Sequence, residues 1–337
     1  MKKRTILTAI ISGMLLCLVG TNIVAAQQAS DNNHGQALEI APPLITLNID
    51  PGQTITTKIN IRNISGGSLI VTGQINDFVA AGEDGTPKIL MDETNTSSNP
   101  YSIVDWVSPI PELDLKSKQM ESLPVTITVP KSASPGGHYG IVRFTGTPPE
   151  LKGTGMSLSA SLGSLIMLKV SGDIKDSLSL SDFYTSQNGQ QNSFFESAPL
   201  VFNEKIQNTG NMHEQPTGLV TVTDMFGKNV AKLGVNATAP QGNVLPGSTR
   251  LFTQALDSTV IGSKMLFGRY TAVLSVKYGD KQPTITSTIT FWVIPYKLII
   301  AIIIVLIGIF FVLRYAIKNY NRHIISSAEK AKHKKQK

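Results

Sequence analysis

Short segments in which apolar and polar residues alternate, or in which apolar residues run together, make up most of the chain. Alternation over about four to eight residues is typical of a half-buried β-strand, and few windows here have the spacing of an amphipathic helix. The segments end at Pro, Gly, Asn or Asp and are rich in Val, Ile and Thr, as strands usually are. The pattern predicts strands at 45–49, 54–62, 68–75, 123–129, 140–145, 162–170, 200–207, 218–224, 249–254, 270–278 and 284–293.

The number of predicted strands favours two domains. About 270 residues lie between the two ends of the chain, which is too many for one small sandwich. We therefore predict an all-β fold of two immunoglobulin-like β-sandwiches. Because 162–170 has the pattern of a last strand and Asp173 begins a polar stretch, the predicted domain bounds are 37–172 and 173–294.

A weak internal repeat supports this division. An apolar strand that ends at Asn63 resembles another that ends at Asn208. A Gly-x-Tyr tripeptide ends at Tyr139, and a second one ends at Tyr270. Immunoglobulin-like sandwiches often place a tyrosine at such a turn, where its hydroxyl holds a corner of the backbone. Tyr139 and Tyr270 are therefore predicted to be structural corner tyrosines.

An apolar run at 6–20 follows three basic residues near the beginning of the chain. Small residues then precede a predicted cleavage site between Ala26 and Gln27. This order of parts is typical of a secretory signal peptide, here 1–26. Cys17, the only cysteine, would be removed with it, so the mature chain would have neither a disulfide nor a cysteine nucleophile.

A second apolar run, 298–313, contains no polar side chain. Extended to 296–317, about 20 helical residues reach roughly 30 Å, the thickness of the hydrocarbon core of a bilayer. The residues expected at the membrane interface are Trp292, Tyr296, Lys297, Arg314 and Lys318. Because basic residues stay on the cytoplasmic side, we predict a single-pass protein of the cell membrane, with extracellular N-terminal domains and a basic cytoplasmic tail at 318–337.

The charge of the chain supports this topology. The formal net charge is +7, but the 18 basic and 22 acidic residues from Gln27 to Tyr296 give that part a net charge of −4. The basic residues at the two ends thus account for the positive charge. Nucleic-acid binding, which a basic protein would otherwise suggest, is not expected.

The sequence contains no recognisable catalytic or metal-binding motif, so we expect a protein that is not an enzyme and needs no cofactor or metal. His138 and His213 are treated as ordinary loop histidines. The hypothesis of an envelope hydrolase stays open as an alternative, because glycan cleavage needs only two carboxylates. Glu83 and Asp84, on one side of a short predicted strand, and Asp92 and Glu93, on the other, could supply them.

Two aromatic residues are candidates for binding. Tyr101 and Trp106 lie in a long segment between predicted strands, and exposed aromatic rings can stack on sugars or hold a partner protein. The alternative is that residues 103–107 form a strand whose Trp106 fills the core of the sandwich.

Several short motifs together resemble a known family. The sequence LNIDPGQ at 47–53, the strand end Ile-Arg-Asn63 and the turn PGGHY at 135–139 precede a second sandwich, an apolar helix and a basic tail. This order resembles the WxL-interacting surface proteins of Gram-positive bacteria. The resemblance implies a first domain that binds peptidoglycan and a second that binds host proteins. The first sandwich is also similar in outline to the immunoglobulin-like domains of pilus chaperones.

We therefore expect a membrane-anchored surface protein without catalytic activity. Its sandwiches would display loops that bind a cell-wall polymer such as peptidoglycan, or another surface protein. The alternative from another class is a chaperone-like assembly accessory that acts by strand addition at a sheet edge. An uncovered edge strand in the first domain would favour that alternative.

Overall fold

The computed structural model describes residues 38–91, 99–149 and 160–335. The predicted signal peptide, 1–26, and its cleavage site between Ala26 and Gln27 lie outside the described residues. The structure is mostly β, with two immunoglobulin-like sandwiches and one apolar helix near the C-terminus. The predicted fold class is confirmed.

The first sandwich contains two sheets. Its strands are β1 (Leu38–Ala41), β2 (Leu44–Ile49), β3 (Thr54–Asn63), β4 (Leu69–Ala81), β5 (Thr86–Leu90), β6 (Leu113–Leu115), β7 (Met120–Thr128), β8 (Gly136–Thr147) and β9 (Ala160–Val170). The small sheet has the order β1-β3-β7, and the large sheet has the order β2-β9-β8-β4-β5, with β6 beside β4. Ile59, Val71, Phe144 and Ile166 are fully buried between them.

The second sandwich is built in the same way. Its strands are β10 (Leu178–Gln187), β11 (Gln190–Gln191), β12 (Phe194–Phe195), β13 (Leu200–Asn208), β14 (Thr217–Asp224), β15 (Asn229–Val235), β16 (Thr249–Leu256), β17 (Gly268–Lys277) and β18 (Thr284–Val293). The two sheets have the orders β11-β10-β13-β16 and β12-β18-β17-β14-β15. The core contains Phe195, Phe202 and Phe291, whose rings contact one another.

The first strand of the chain changes sheets. β1 pairs with β3 in the small sheet, whereas β2 pairs in parallel with β9 in the large sheet. The change occurs at Pro42 and Pro43, which cannot donate backbone hydrogen bonds to either sheet. As a result β2 covers only part of the outer edge of β9.

The two asparagines of the internal repeat have the same role. Asn63 is fully buried at the end of β3 and donates to the carbonyl oxygens of Gly67 (2.7 Å) and Leu115 (2.9 Å). Asn208 is fully buried at the end of β13 and donates to those of Met212 (2.6 Å) and Val244 (2.8 Å). Each amide satisfies loop carbonyls that would otherwise be buried without a partner.

The strand considered for residues 103–107 is not formed. Val104–Trp106 is a turn of 3-10 helix instead, and the backbone N–H of Trp106 donates to the carbonyl of Ile103 at 2.9 Å. The hydroxyl of Ser102 accepts from the N–H of Val104 (3.2 Å) at the beginning of this turn. This local hydrogen bond competes with strand pairing, as serine side chains often do.

Two helices occur in the described C-terminal part. The one-turn helix α1 (Ser258–Ile261) lies between β16 and β17, and α2 (Tyr296–Lys335) follows β18. The part of α2 from Tyr296 to Asn321 is apolar and long enough to cross a membrane, with a mean hydropathy of 3.0. None of it is buried against the rest of the chain. The helix continues through most of the predicted basic tail.

An acidic residue lies in the core of the second sandwich. Glu204 on β13 is fully buried, and neither of its carboxylate oxygens makes a hydrogen bond within the described residues. Burial raises the pKa of the Glu204 carboxyl from 4.5 to about 8, and the neighbouring Gln254 offsets only part of this rise. The folded protein therefore favours the neutral carboxylic acid.

This burial predicts that the second sandwich loses stability as the pH rises. Below pH 4.5 the Glu204 carboxyl is protonated in both the folded and the unfolded chain. Between that pH and about 8 the folded chain keeps the proton and the unfolded chain loses it. The free energy of unfolding therefore falls by about 1.4 kcal/mol for each pH unit in this range. Thermal unfolding of the full chain in detergent, followed by circular dichroism from pH 5 to 8, should show a falling midpoint.

The variant Glu204→Gln should flatten this pH dependence, because an amide keeps the shape of the side chain and does not ionise. Glu121→Gln is the matched control, since Glu121 is exposed on β7. An unchanged slope in Glu204→Gln, with normal folding, would contradict the assignment of the pH dependence to Glu204.

Candidate functional site: an interdomain cleft beside an open strand edge

The large sheet of the first sandwich has a second apolar face. Phe78, Tyr139, Ile141 and Met167 point away from the core of the sandwich and form a separate buried cluster. Leu245, from the loop before β16, packs on this cluster from the second sandwich. The two sandwiches therefore meet on an apolar surface rather than only through a linker.

Beside this contact the sandwiches enclose a cleft, which we call the interdomain cleft. One cavity of about 430 Å³ is lined by Phe78, Tyr101 and Tyr139 from the first sandwich and by residues 245–249 from the second. An adjoining cavity of about 240 Å³ is lined by Leu165, Met167 and residues 240–243, among others. Both have mostly apolar walls with a few polar groups, as ligand and peptide sites usually do.

Hydrogen bonds from the backbone and from the side chain of Asn211 join the two sandwiches beside the cleft. The N–H of Gly137 at the beginning of β8 donates to the carbonyl of Asn211, at 2.8 Å. The amide of Asn211 in turn donates to the carbonyls of Pro135 (3.1 Å) and Asp173 (3.0 Å). On the other side of the cleft, the N–H of Leu251 donates to the carbonyl of Glu83, at 2.7 Å.

At the same contact, the buried Tyr139 meets the half-buried His213. The hydroxyl of Tyr139 lies 3.3 Å from Nδ1 of His213, and their rings meet edge to face with centroids 5.6 Å apart. Burial raises the pKa of Tyr139 above its usual range and lowers the pKa of His213 to about 4. Both groups are therefore neutral at ordinary pH, and their contact is a neutral hydrogen bond.

Two ion pairs also join the two sandwiches. Lys205 and Glu83 form an ion pair at 2.9 Å, and Lys169 and Asp280 form a second one at 3.3 Å. These side chains are partly exposed, so solvent screens both pairs and each adds little to stability. Arg250 extends across the cleft beside Gly85, and its guanidinium donates to the carbonyl of Asn243 at 2.9 Å.

Within the described residues, the outer edge of β9 has no strand partner over residues 160–164, the open edge, although β1 runs beside it. Ser164 is buried, and its hydroxyl donates to the carbonyl of Pro42 at 2.7 Å. β2 pairs with β9 only from Leu165 onward, and within the described residues no strand pairs with the outer edge before it. The N–H of Leu165 points outward and donates to the carbonyl of Pro43 at 2.9 Å. Because backbone groups alternate along a strand, those of Ser161 and Gly163 also point outward, away from β8.

The open edge carries none of the usual protection against strand pairing. Residues 160–164 contain no charge and no proline, and the side chain of Leu162 is 44% exposed. The opposite edge of the large sheet is protected, since β5 contains Pro87 and Lys88. The edge strand β2, with the sequence LITLNI, contains neither a charge nor a proline, like residues 160–164. The edge strand β7 contains Pro124, and the loop residues Val107 and Ser108 pair with part of it. Such devices normally prevent unwanted pairing, and this side of the large sheet, formed by β2 and residues 160–164, lacks them.

Tyr101 and Trp106, the aromatic residues predicted to bind a partner, are not fully exposed on the surface. Tyr101 is half-buried, lines the larger cavity and contacts the ring of Tyr139, with centroids 6.1 Å apart. Trp106 is half-buried against the core, and its ring centroid lies 4.5 Å from that of His138. Tyr101 thus belongs to the interdomain cleft, whereas Trp106 does not line it.

The two tyrosines predicted at corners have different surroundings. The hydroxyl of Tyr270 accepts from the N–H of Phe267 at 2.9 Å, so it contacts the backbone just before β17. Tyr139 contacts His213 of the other sandwich instead. The corner role stays a prediction for both residues.

The remaining sequence candidates form no catalytic or metal site in the described part of the chain. Asp84 accepts from the N–H and hydroxyl of Thr86, and these hydrogen bonds lower its pKa, as in an ordinary turn. His138 contacts the carbonyl of Ser134, at 2.9 Å, whereas His213 contacts Tyr139. No group of three metal-ligating side chains occurs among the described residues. Asp92 and Glu93 lie outside them.

The membrane-interface candidates lie where the second sandwich meets α2. Trp292 is near the end of β18, Tyr296 begins α2, and Lys297 forms an ion pair with Glu196 at 2.7 Å. Arg314 and Lys318 lie further along α2 and are exposed. Their role at a membrane interface stays a prediction.

Leu245, Arg250 and the open edge are site features that no sequence pattern predicted. Leu245 and Arg250 belong to a loop and a strand with no motif, and only the packing of two sandwiches brings them to the cleft. The edge had one available signal, because a strand at 162–170 that begins with small uncharged residues lacks the usual edge protection.

Comparisons with known proteins give no family assignment. No protein-family model matches the chain, and no curated protein sequence matches it. The resemblance to WxL-interacting proteins therefore stays a prediction.

Solved structures of pilus chaperones are similar in outline. The class 5 fimbriae chaperone CfaA has 14% identity and a TM-score of 0.39, over 75% of this chain and 98% of that one. The Escherichia coli chaperone DraB has 15% identity and a TM-score of 0.33, over 76% and 97%. A Salmonella enterica complex of the SafA pilin with the SafB chaperone has 12% identity and a TM-score of 0.34, over 75% and 97%. Identities and TM-scores this low support no conclusion about the function of this chain.

We predict that the substitution Gly136→Ala disturbs the contact between the two sandwiches. Gly136 has a φ of 122°, and a Cβ there would lie 2.3 Å from the carbonyl oxygen of Asn211. The clash should separate the sandwiches and lower the unfolding free energy by about 1–3 kcal/mol beyond the backbone strain. Gly82→Ala is the matched control, because Gly82 also has a positive φ, 68°, but nothing lies within 4 Å of its Cβ position.

The measurement is the distance distribution between spin labels at Lys58→Cys and Lys232→Cys, one on each sandwich, in a Cys17→Ser background. Both lysines are exposed. Gly136→Ala should broaden the distribution and Gly82→Ala should not. Equal distributions in the two variants would mean that the Gly136 contact does not hold the sandwiches in place.

Proposed function

We propose that this chain is a non-enzymatic, membrane-anchored protein that binds an extended segment of another cell-surface protein by strand addition at β9. This is the strand-addition alternative of the sequence analysis, with a protein as the partner. The proposed units are a first sandwich at 37–172, a second at 173–294, a membrane-spanning helix at 296–317 and a cytoplasmic tail at 318–337.

The observation that supports the proposal is the open edge of β9. The outward N–H and C=O groups of Ser161 and Gly163 have no strand partner within the described residues. An extended segment could pair with them and continue the large sheet in line with β2. In this mode of recognition, main-chain hydrogen bonds provide affinity and side-chain pockets provide specificity.

Two features beside the edge favour an apolar partner segment. Leu162 lies on the same side of β9 as the core residues Ile166 and Leu168, yet it is 44% exposed, because the sandwich is not closed at this end. Further along the strand, Leu165 and Met167 line the smaller cavity of the interdomain cleft. An added strand could therefore place apolar side chains over Leu162 and direct its end toward the cleft.

A cell-wall polymer is a weaker candidate. Tyr101 and Trp106, the aromatics expected to stack on sugars, are half-buried among other side chains. The net charge of −4 from Gln27 to Tyr296 gives no attraction to anionic wall polymers. A hydrolase is also disfavoured, because Glu83 forms an ion pair with Lys205 and Asp84 holds a turn.

Anchoring would help a weak strand interaction. The apolar part of α2, 26 residues from Tyr296 to Asn321, would keep the sandwiches close to the membrane. A partner that is also a surface protein would be confined to the same region. Confinement raises the effective concentration of the partner without adding contacts.

The proposal predicts a position-specific crosslink. A photo-crosslinking amino acid at Leu162, in the full chain in its membrane, should become attached to an extended segment of another surface protein. The same amino acid at Met120 is the control, since Met120 is also exposed, 53%, but lies on β7 in the other sheet. Equal products at both positions, or attachment to wall glycan only, would contradict strand addition.

The hydrogen bonds of the edge can be tested with Ser161→Pro. Proline removes the outward N–H without removing a hydrogen bond to β8, so the fold should be kept. We expect the crosslink from Leu162 to fall by about tenfold, since each lost hydrogen bond is worth about 1 kcal/mol and the ring also hinders the approach of a strand. Ser161→Thr keeps the N–H and is the matched control.

A further inference from the structure

Exposed apolar side chains collect on two loops of the second sandwich. Phe226 is 85% exposed and Met225 is 45% exposed, in the turn between β14 and β15. Met265 is 70% exposed and Phe267 is 56% exposed, in the loop between α1 and β17. We call the segments 224–228 and 262–268 the apolar loops.

The strand register places both apolar loops at the end of the sandwich where α2 begins. Asp224, at the end of β14, lies opposite Tyr270 near the beginning of β17. Gly268, the first residue of β17, lies opposite Val293, the last residue of β18. Since α2 begins at Tyr296, the apolar loops and the helix leave the sandwich on the same side.

Other aromatic residues continue this surface toward the helix. Phe194 pairs with Trp292 on neighbouring strands, and they are 48% and 44% exposed. Tyr296, the first residue of α2, is 46% exposed. The interdomain cleft is at the opposite end of the sandwich, beyond Thr217 and its partner Lys277. The apolar surface is thus continuous with the apolar helix and remote from the proposed partner site.

Four basic and three acidic residues lie around this surface, which gives it a small net positive charge. Lys228, Lys264 and Arg269 form no ion pair within the described residues. The nearby acidic side chains keep their charge but accept hydrogen bonds or pair within the chain. Asp224 accepts from the N–H groups of Phe226 and Lys228, both at 2.9 Å. Asp257 accepts from the N–H of Thr259 at the beginning of α1, and Glu196 pairs with Lys297.

We propose that the apolar loops insert Phe226, Met265 and Phe267 into the outer leaflet of the same bilayer that α2 crosses. The basic residues Lys228, Lys264 and Arg269 would then lie at the level of anionic lipid headgroups. This inference rests on the membrane anchoring proposed above. Apolar side chains surrounded by basic ones are the composition that binds a membrane interface.

Insertion would give the second sandwich a second attachment to the membrane. Residues 294–295 alone separate β18 from α2, and a second contact through the apolar loops restricts the tilt of the sandwich on the membrane. Because the helix already holds the loops at the surface, a few side chains are enough for insertion. The interdomain cleft and the open edge of β9 would then be held away from the lipid, facing a partner.

Spin labels in the full chain test this arrangement. Single cysteines at Phe226→Cys and Met265→Cys, in a Cys17→Ser background, are labelled in nanodiscs of phosphatidylcholine and phosphatidylglycerol. Accessibility to oxygen, which concentrates in lipid, is compared with accessibility to a water-soluble nickel complex. Both labels should favour oxygen. Leu219→Cys is the matched control, because Leu219 is 47% exposed on the same sandwich but lies in the middle of β14; its label should favour nickel.

A spin label at Ile307→Cys, in the apolar part of α2, tests membrane anchoring by α2 independently of the insertion of the apolar loops. If Ile307 is deep in the bilayer while Phe226 and Met265 are as accessible to nickel as Leu219, loop insertion is wrong and the anchor stands. If Ile307 is also in water, the anchor itself is wrong. Spin–spin broadening at Phe226 that disappears on dilution with unlabelled chain would show that a second copy covers the loops, which also overturns insertion into lipid.

The lipid headgroup can be tested in the same samples. Replacing phosphatidylglycerol by phosphatidylcholine should move the Phe226 label toward water if Lys228, Lys264 and Arg269 contact anionic headgroups. The triple replacement of these residues by Gln should give the same shift in mixed nanodiscs. No shift in either sample would remove the anionic headgroups from the proposal.

Discussion

The large sheet of the first sandwich is apolar on both faces, and the arrangement of the whole molecule depends on this. Its central strand, β8, is buried continuously from Gly136 to Val142. One face packs on the core of its own sandwich, and the other would expose Phe78, Tyr139 and Met167 to water if nothing covered it. The second sandwich covers it with Leu245 and His213, because burying that area is more favourable than leaving it exposed.

This constraint gives the molecule two distinct ends. One end of the second sandwich must lie against the first, so the cleft forms there, and β18 then leads to α2 at the other end. The open edge of β9 and the apolar loops are consequently far apart. A partner segment and a lipid surface would contact the molecule at different places without competing.

The internal repeat shows how one sequence signature can have two outcomes. Asn63 and Asn208 have the same role in the two sandwiches, since each is buried at a strand end and satisfies loop carbonyls. Tyr139 and Tyr270 follow the same kind of tripeptide but differ, because only Tyr139 faces the other sandwich. A local signature thus predicts local hydrogen bonds, whereas contacts between domains depend on which surfaces meet.

The sequence by itself determined the strands, the two-sandwich class and the apolar helix, because periodicity and hydropathy are local properties of the chain. The strands β1, β6, β10, β11, β12 and β15 were missed. Four of these, β1, β6, β11 and β12, have at most four residues, and in β10 a register shift between Leu180 and Asp182 interrupts the alternation. Only the tertiary structure decided that Tyr101, Leu245 and Arg250 line one cleft and that residues 160–164 form an open edge. These features depend on contacts between residues far apart in the chain, and on the turn at Pro42 and Pro43 that leaves β9 partly uncovered.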